Sequence, residues 1–316
     1  MSHADNYGLT PPYTTIALFG ANGQIGDYIL EALVHPPRHQ FNIIGFIPPS
    51  TQLQSNKNAK NVTVKEFDLI TVSPLEAQPT IQDAAADAGV KRFYPSEYGM
   101  HHIYRKPGDS KGYVHPAWNL KADINEQALL HPSVRNGSMS FTLIGCGDFY
   151  NQAREKTWCP WAQPPSSAPY QIHVIGSPSA QADFTHLADF TAFLVATLLE
   201  PQKSHNQFLN VVSDTISHEE IKALLEKYSG KEVVLDVRDL SEMHKVIDTE
   251  GECIKEEELK DSAFPVDFWF LVKGLQGSGR FVRHPSQIHN GRFPEVRRTS
   301  FEKYFKERFG EVGAKL

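Results

Sequence analysis

Three glycines spaced at i, i+3 and i+6 (Gly20, Gly23, Gly26) stand between an apolar run, Ile16 to Phe19, and a helical pattern. That pattern puts Ile25, Ile29, Leu30 and Leu33 on one face. A strand, a tight turn and a helix start in this order set backbone N–H groups and the positive end of a helix dipole against a pyrophosphate. Gly20 would permit the reversal, Gly23 the close approach of phosphate, and Gly26 close packing of helix on sheet. The candidate contacts are Gly20, Asn22, Gly23, Gln24, Ile25 and Gly26. The same spacing also serves ordinary tight turns. Placement between a strand and a helix is what favours a dinucleotide. Metal chemistry has no comparable signal. Cys146, Cys159 and Cys253 form no CxxC spacing, and His101, His102, His115 and His173 follow no ligand pattern.

The elements that must position such a turn alternate along the first half of the chain. His35-Pro36-Pro37 stops the first helix, and Phe41 to Ile47 reads as a second strand bounded by Pro48 and Pro49. Val62 to Phe67 alternates as a third strand. Asp68 to Ser73 is strand-like too, yet it follows with no room for the dozen-residue crossover that adjacent parallel strands need. Either residues 62–73 form one long or bent strand, or one of the two runs lies outside the sheet, or a segment has been lost. Residues 76–88 read as a helix closed by Gly89, Lys91 to Tyr94 as a strand, Asn119 to Leu130 as a helix and Ser140 to Ile144 as a strand. This alternation predicts an α/β fold with a doubly wound parallel sheet. In the second half we expect strands at Tyr170 to Ile175, Phe208 to Val212 and Lys231 to Val237. A helix through Leu199, a capping-box helix from Ser217 to Ser229 and a charged helical stretch at 239–262 complete it. The organisation expected is a lead-in at 1–13, a cofactor unit at 14–155 and a mainly substrate-binding α/β unit at 156–316, with some segments returning to the first sheet.

Residues 89–99, Gly-Val-Lys-Arg-Phe-Tyr-Pro-Ser-Glu-Tyr-Gly, closely resemble a motif of the isoflavone-reductase-like (NmrA-like) branch of the atypical short-chain dehydrogenases/reductases. Asp68 to Gln78, Asn119 to Ile124, Ser140 to Phe149 and Ser217 to Gly230 are similar to further segments of that family. The resemblance implies a nicotinamide-dependent reductase with a Rossmann domain and a smaller C-terminal substrate domain, and implies that Lys121 is the catalytic residue. Desolvation at a cleft mouth suits a lysine to exchange protons near neutral pH. The Tyr-x-x-x-Lys dyad of the classical branch is absent, since no tyrosine has a lysine four residues on. Pro95, Ser96 and Glu97 fall at a strand's C-terminal end, where open α/β sheets place ligands. Their competing role is a proline-held turn with Glu97 paired to Arg92. Ser73 is a further implied contact, and Phe149 would stack near the nicotinamide or else pack in the core.

Two departures from the family stand out. Pro48 occupies the place of the arginine that meets the 2′-phosphate of NADP, and no acidic residue replaces it. Ser50, Lys57 or Arg38 are left to supply that contact, which favours NADPH over NADH. The second departure is the missing crossover after Phe67. A non-catalytic, redox-sensing regulator that binds the dinucleotide is the alternative function.

Composition bounds the rest. With 316 residues, 40% hydrophobic and 22% charged, the chain can bury a large core. A net charge of −6 gives no reason to expect nucleic acid or an anionic membrane as partner. No apolar run approaches membrane-spanning length, and Met1 to Thr10 is polar. The three cysteines read as free thiols in a reducing, cytoplasmic compartment. The expected partner is a small aromatic or phenolic metabolite, and a homodimer is allowed for. The basic tract Arg280, Arg283, Arg292, Arg297 and Arg298 reads as a solvated face.

Overall fold

The structure, a computed structural model, describes residues 13–68, 75–99, 116–152, 157–164, 167–249 and 266–310. Strand β1 (Thr15–Phe19) pairs in parallel with β2 (Asn42–Ile47), which pairs in parallel with β3 (Val62–Glu66). Helix α1 (Gln24–Val34) connects β1 to β2. It buries Ile29, Leu30 and Leu33, the face read from its periodicity, and ends at His35 before the proline pair. Phe19 stacks on Phe46 across the register at 4.4 Å, fixing β1 against β2.

Helix α2 (Gln78–Asp87) follows, with Pro79 in its first turn and Gly89 beyond its end at φ +71°. Then come β4 (Arg92–Phe93), α3 (Pro116–Leu130), the short α4 (Pro132–Arg135) and β5 (Ser140–Cys146). A second parallel group has the order β4-β5-β9, with β9 at Gln207–Val211. Among the described residues these six strands thus fall in two parallel groups. Residues 69–74, where the sequence places a further strand, lie outside the described residues, as does Ser73. β3 ends at Glu66, and no crossover helix intervenes before Asp68.

The remaining strands are β6 (Asp148–Phe149), β7 (Tyr170–Ile175), β8 (Gln181–Thr185), β10 (Asp214–Ser217) and β11 (Val233–Arg238). β8 pairs with β10 antiparallel and with β6 in parallel, while β11 lies parallel to β7. Helices α5 (Leu187–Leu199), α6 (His218–Ser229), α7 (Leu240–Asp248), α8 (Val266–Gly277) and α9 (Phe301–Phe309) complete the chain. The capping box at Ser217 and Glu220 is formed, and Gly230 closes α6 at φ +67°.

Two apolar cores result. One joins α1, β2, β5, β9 and α5 around Leu30, Phe41, Phe190 and Leu209, and takes in Phe293 from the C-terminal region. The other gathers Trp161, Ile172, Phe184, Leu225, Trp269, Phe301 and Phe305. Two expectations are corrected. Residues 181–185 and 214–217 are strands where no separate element is expected from the sequence, and 132–135, between the expected helix and strand, form a helical turn. β8 lacks an alternating pattern because it is buried along most of its length, with the polar Asp183 and Thr185 satisfied inside.

Candidate functional site

The glycine turn forms as its spacing requires. Gly20 lies at φ +71°, its N–H donates to the Phe46 carbonyl at 2.9 Å, and Gly23 N–H donates back to the Gly20 carbonyl at 2.9 Å. A Cβ on Gly26 would lie 1.9 Å from the Gly20 carbonyl oxygen, so the helix can approach the turn only as glycine. Gln24 and Ile25 occupy the first turn of α1. The structure brings the 51–55 segment to this turn. Asn22 donates through Nδ2 to Thr51 Oγ1 at 2.9 Å, Gln54 donates to the Asn22 carbonyl at 2.6 Å, and Ser55 Oγ donates to Asp27 at 2.6 Å. Ser50, at φ +60°, follows β2 at this end, whereas Asn56 donates to Glu31, two turns along α1 from the glycines, and the exposed Lys57 stands beside it, away from the turn.

Two electrostatic expectations change at this end. Arg38 sits where the chain enters β2, the opposite end from the turn, and pairs with Glu200 at 3.6 Å; it cannot serve a phosphate at Ser50. An acidic group does stand there: Glu66, at the end of β3, accepts from Ser50 N–H at 3.5 Å. Sequence alone concealed it because the two residues are separated by a turn and a whole strand.

The second cluster lies around Glu97. Lys121 and Asn125 are four apart on α3, so both side chains leave the helix on one face. Lys121 Nζ lies 3.0 Å from Glu97 Oε1 and donates to the Tyr98 carbonyl at 2.9 Å. Asn125 Nδ2 donates to Glu97 Oε2 at 2.5 Å and more weakly to the Ser96 carbonyl at 3.3 Å. Gln78 Nε2 donates to Asn125 Oδ1 at 3.1 Å while its Oε1 accepts from Ser96 N–H at 2.7 Å. The chain Gln78–Asn125–Glu97–Lys121 is buried throughout. Glu97 therefore pairs with Lys121 and not with Arg92, which is turned into the core and donates to Ser140 Oγ, the Pro201 carbonyl and Ser204 Oγ. Pro95 is buried beneath this loop.

Phe149 is 6% exposed and packs edge-on against Phe190 at 5.4 Å, with Tyr98 beside it at 6.4 Å. Gly147 lets β6 approach β8, since a Cβ there would meet the Asp183 carbonyl at 2.5 Å. Burial pushes the Tyr98 phenol and the Cys146 thiol each up to about 12, so neither ionises at neutral pH. Arg283 departs from the solvated tract expected of it. It is buried, not solvated: Nη2 donates to the Gly99 carbonyl at 2.7 Å and the Cys146 carbonyl at 2.8 Å, and its backbone N–H donates to Asp183 at 2.8 Å. Arg292, Arg297 and Arg298 are exposed as expected. Among the described residues no three His, Cys, Asp or Glu side chains gather as a metal would require, and no helix is long and apolar enough to cross a membrane.

A glycine turn between β1 and α1, and polar residues at the C-terminal end of a parallel strand, define the class as a Rossmann-type nucleotide-binding α/β protein. The chain belongs to the NmrA-like family, whose family model matches residues 67–262. It is similar to the phenylcoumaran benzylic ether reductase TP7 of Nicotiana tabacum, with 21% identity over 92% of this chain and 96% of that protein. Among solved structures it resembles the leucoanthocyanidin reductase–NADPH complex from Vitis vinifera, with a TM-score of 0.64 and 16% identity over 93% of this chain and 99% of that one. It also resembles NmrA, a negative transcriptional regulator, with a TM-score of 0.66 and 14% identity over 94% and 96%. By family and fold the chain is classed with the NAD(P)H-dependent oxidoreductases.

Proposed function

We propose that the chain is an NADPH-dependent reductase of a small aromatic or phenolic metabolite, with Lys121 as its proton-exchanging catalytic residue. The observation that carries this reading is the buried Gln78–Asn125–Glu97–Lys121 chain, which fixes one ammonium at the C-terminal end of β4. A lysine held only for stability would not need such a train of partners, because replacing buried ion pairs by apolar side chains is often neutral or stabilising. The NADPH complex of a fold neighbour and the reductase names of relatives support the same reading.

The turn fits a dinucleotide, since Gly20, at φ +71°, has open space where a Cβ would stand, and Gly26 lets the N-terminus of α1 close onto the turn. Gly20, Asn22, Gly23, Gln24, Ile25 and Gly26 would hold the pyrophosphate, and Ser50 the adenosine end. Pro95, Ser96, Glu97 and Phe149 would border the nicotinamide end. When bound, the cofactor supplies a hydride. Lys121 faces Glu97 as an ion pair at 3.0 Å and donates one N–H to the Tyr98 carbonyl, which leaves an N–H to meet a substrate oxygen and pass a proton as charge develops there. Glu97 holds the ammonium's direction, and Asn125 holds Glu97. We further propose that the first core belongs to the cofactor unit, 14–155, and the second to the substrate unit, 156–316, with α5 and β9 returning to the first.

Titration of the protein with NADPH and NADH, followed by nicotinamide fluorescence, tests the cofactor assignment; binding of neither sinks it. Lys121→Ala is expected to bind NADPH with the wild-type affinity and to lose about 10²–10⁴ in turnover across a panel of phenolic substrates. Wild-type turnover in that variant refutes the mechanism. Tight NADPH binding with no turnover in the unaltered protein favours the regulator reading, to which the short connection between β3 and α2 also lends weight.

A further inference from the structure

Helix α8 carries Trp269, Lys273 and Gln276 at i, i+4 and i+7, hence on one face, and all three are at most 3% exposed. Their polar atoms are left with unused capacity. Trp269 Nε1 and Gln276 Oε1 have no hydrogen-bond partner. Lys273, between them on the same face, lies over the Trp158 ring, 5.4 Å from its centroid. A neighbouring carboxyl, Asp148, already accepts through Oδ2 from Gln276 Nε2 at 2.7 Å and from Trp158 Nε1. Buried polar groups are ordinarily paired, so a donor and an acceptor left open on one helix face, with the Lys273 ammonium between them in sequence, call for an occupant. The place is next to the proposed chemistry. Asp148 directly precedes Phe149, and Trp118, one turn before Lys121 on α3, packs edge-on against Phe268 of α8 at 5.8 Å.

We propose that this face of α8 is a hydroxyl-binding subsite, taking a phenolic or alcoholic oxygen of the substrate. The oxygen would accept from Lys273 Nζ and Trp269 Nε1, and its proton would go to Gln276 Oε1. A carboxylate fits less well, having no proton to give Gln276 Oε1. The subsite rests on the reductase reading only for its position beside the nicotinamide end.

The test is calorimetric, with 4-propylphenol and its methyl ether, 4-propylanisole, as probes, on protein with and without NADPH. The wild type is expected to bind the phenol at least tenfold more tightly than the ether. Trp269→Phe, which keeps the ring and removes only the N–H, and Lys273→Met are each expected to bring the ratio below about threefold, with NADPH affinity unchanged. A wild-type ratio near one, binding of neither probe at millimolar concentration (water as sole occupant), or a wild-type ratio in both variants overturns the subsite. Should Lys273→Met fail to fold, Trp269→Phe decides alone. Loss of NADPH binding in the wild type would sink the reductase reading instead, while the probe ratio without cofactor still decides the subsite.

Discussion

Glu97 and Lys121 are two charges with almost no access to solvent, and each is tolerable because of the other. Ions removed from water need compensation by a close partner and by hydrogen bonds on the remaining lone pairs. Asn125 and the Tyr98 carbonyl provide the latter. Glu97→Gln keeps the shape and an oxygen for Asn125 but leaves the ammonium without its counter-charge. We expect it to destabilise the fold by about 3–5 kcal/mol, the usual effect of removing one partner of a buried pair. It should also lower turnover at least tenfold, with NADPH affinity within about twofold of wild type. Denaturant titration and steady-state kinetics check both. Unchanged stability would mean that the pair is solvated.

At the scale of elements, α1 and its turn show how one missing side chain sets a packing distance. Helix and turn touch where Gly26 meets the Gly20 carbonyl. Gly26→Ala pushes them apart and is expected to cost about 1–3 kcal/mol through overpacking and to abolish NADPH binding. Thermal melts and the fluorescence titration measure the two effects. This element was legible in advance because glycine spacing and a 3.6-residue apolar period are local signals. The same holds for α6, opened by Ser217 and Glu220 and closed by Gly230. β8 and β10 were not legible. Their polar residues are satisfied by distant partners, Asp183 by Arg283 and Thr215, which no local pattern announces.

For the whole molecule, the two apolar cores meet where Arg283 holds the carbonyls of Gly99 and Cys146. The C-terminal region is thereby fastened to the loop that presents Glu97 and Tyr98. The second core also makes stability depend on pH. His218 is 2% exposed, and burial pushes its imidazole from 6.5 down to about 3. Between those values the unfolded chain binds a proton that the folded chain refuses, so stability falls as pH drops from about 6.5 toward 3. The slope from this group alone is about 1.4 kcal/mol per pH unit. Comparing denaturation midpoints at pH 7 and pH 4.5, we expect a smaller loss in His218→Gln than in the wild type. Equal losses would show that other groups govern the acid limb.

The sequence by itself determined the parallel α/β architecture, the glycine turn between β1 and α1 and the helix that carries Lys121. Each is encoded in a short run of residues whose periodicity, turn chemistry or motif survives without a partner. Tertiary structure alone decided which charges meet. It gave Glu97 to Lys121 and not to Arg92, carried Arg38 away from the adenosine end, brought Glu66 to Ser50 and sank Arg283 into the core. Those outcomes depend on strand register and on helices crossing in space. A charge takes the partner that burial leaves nearest, whatever its distance along the chain.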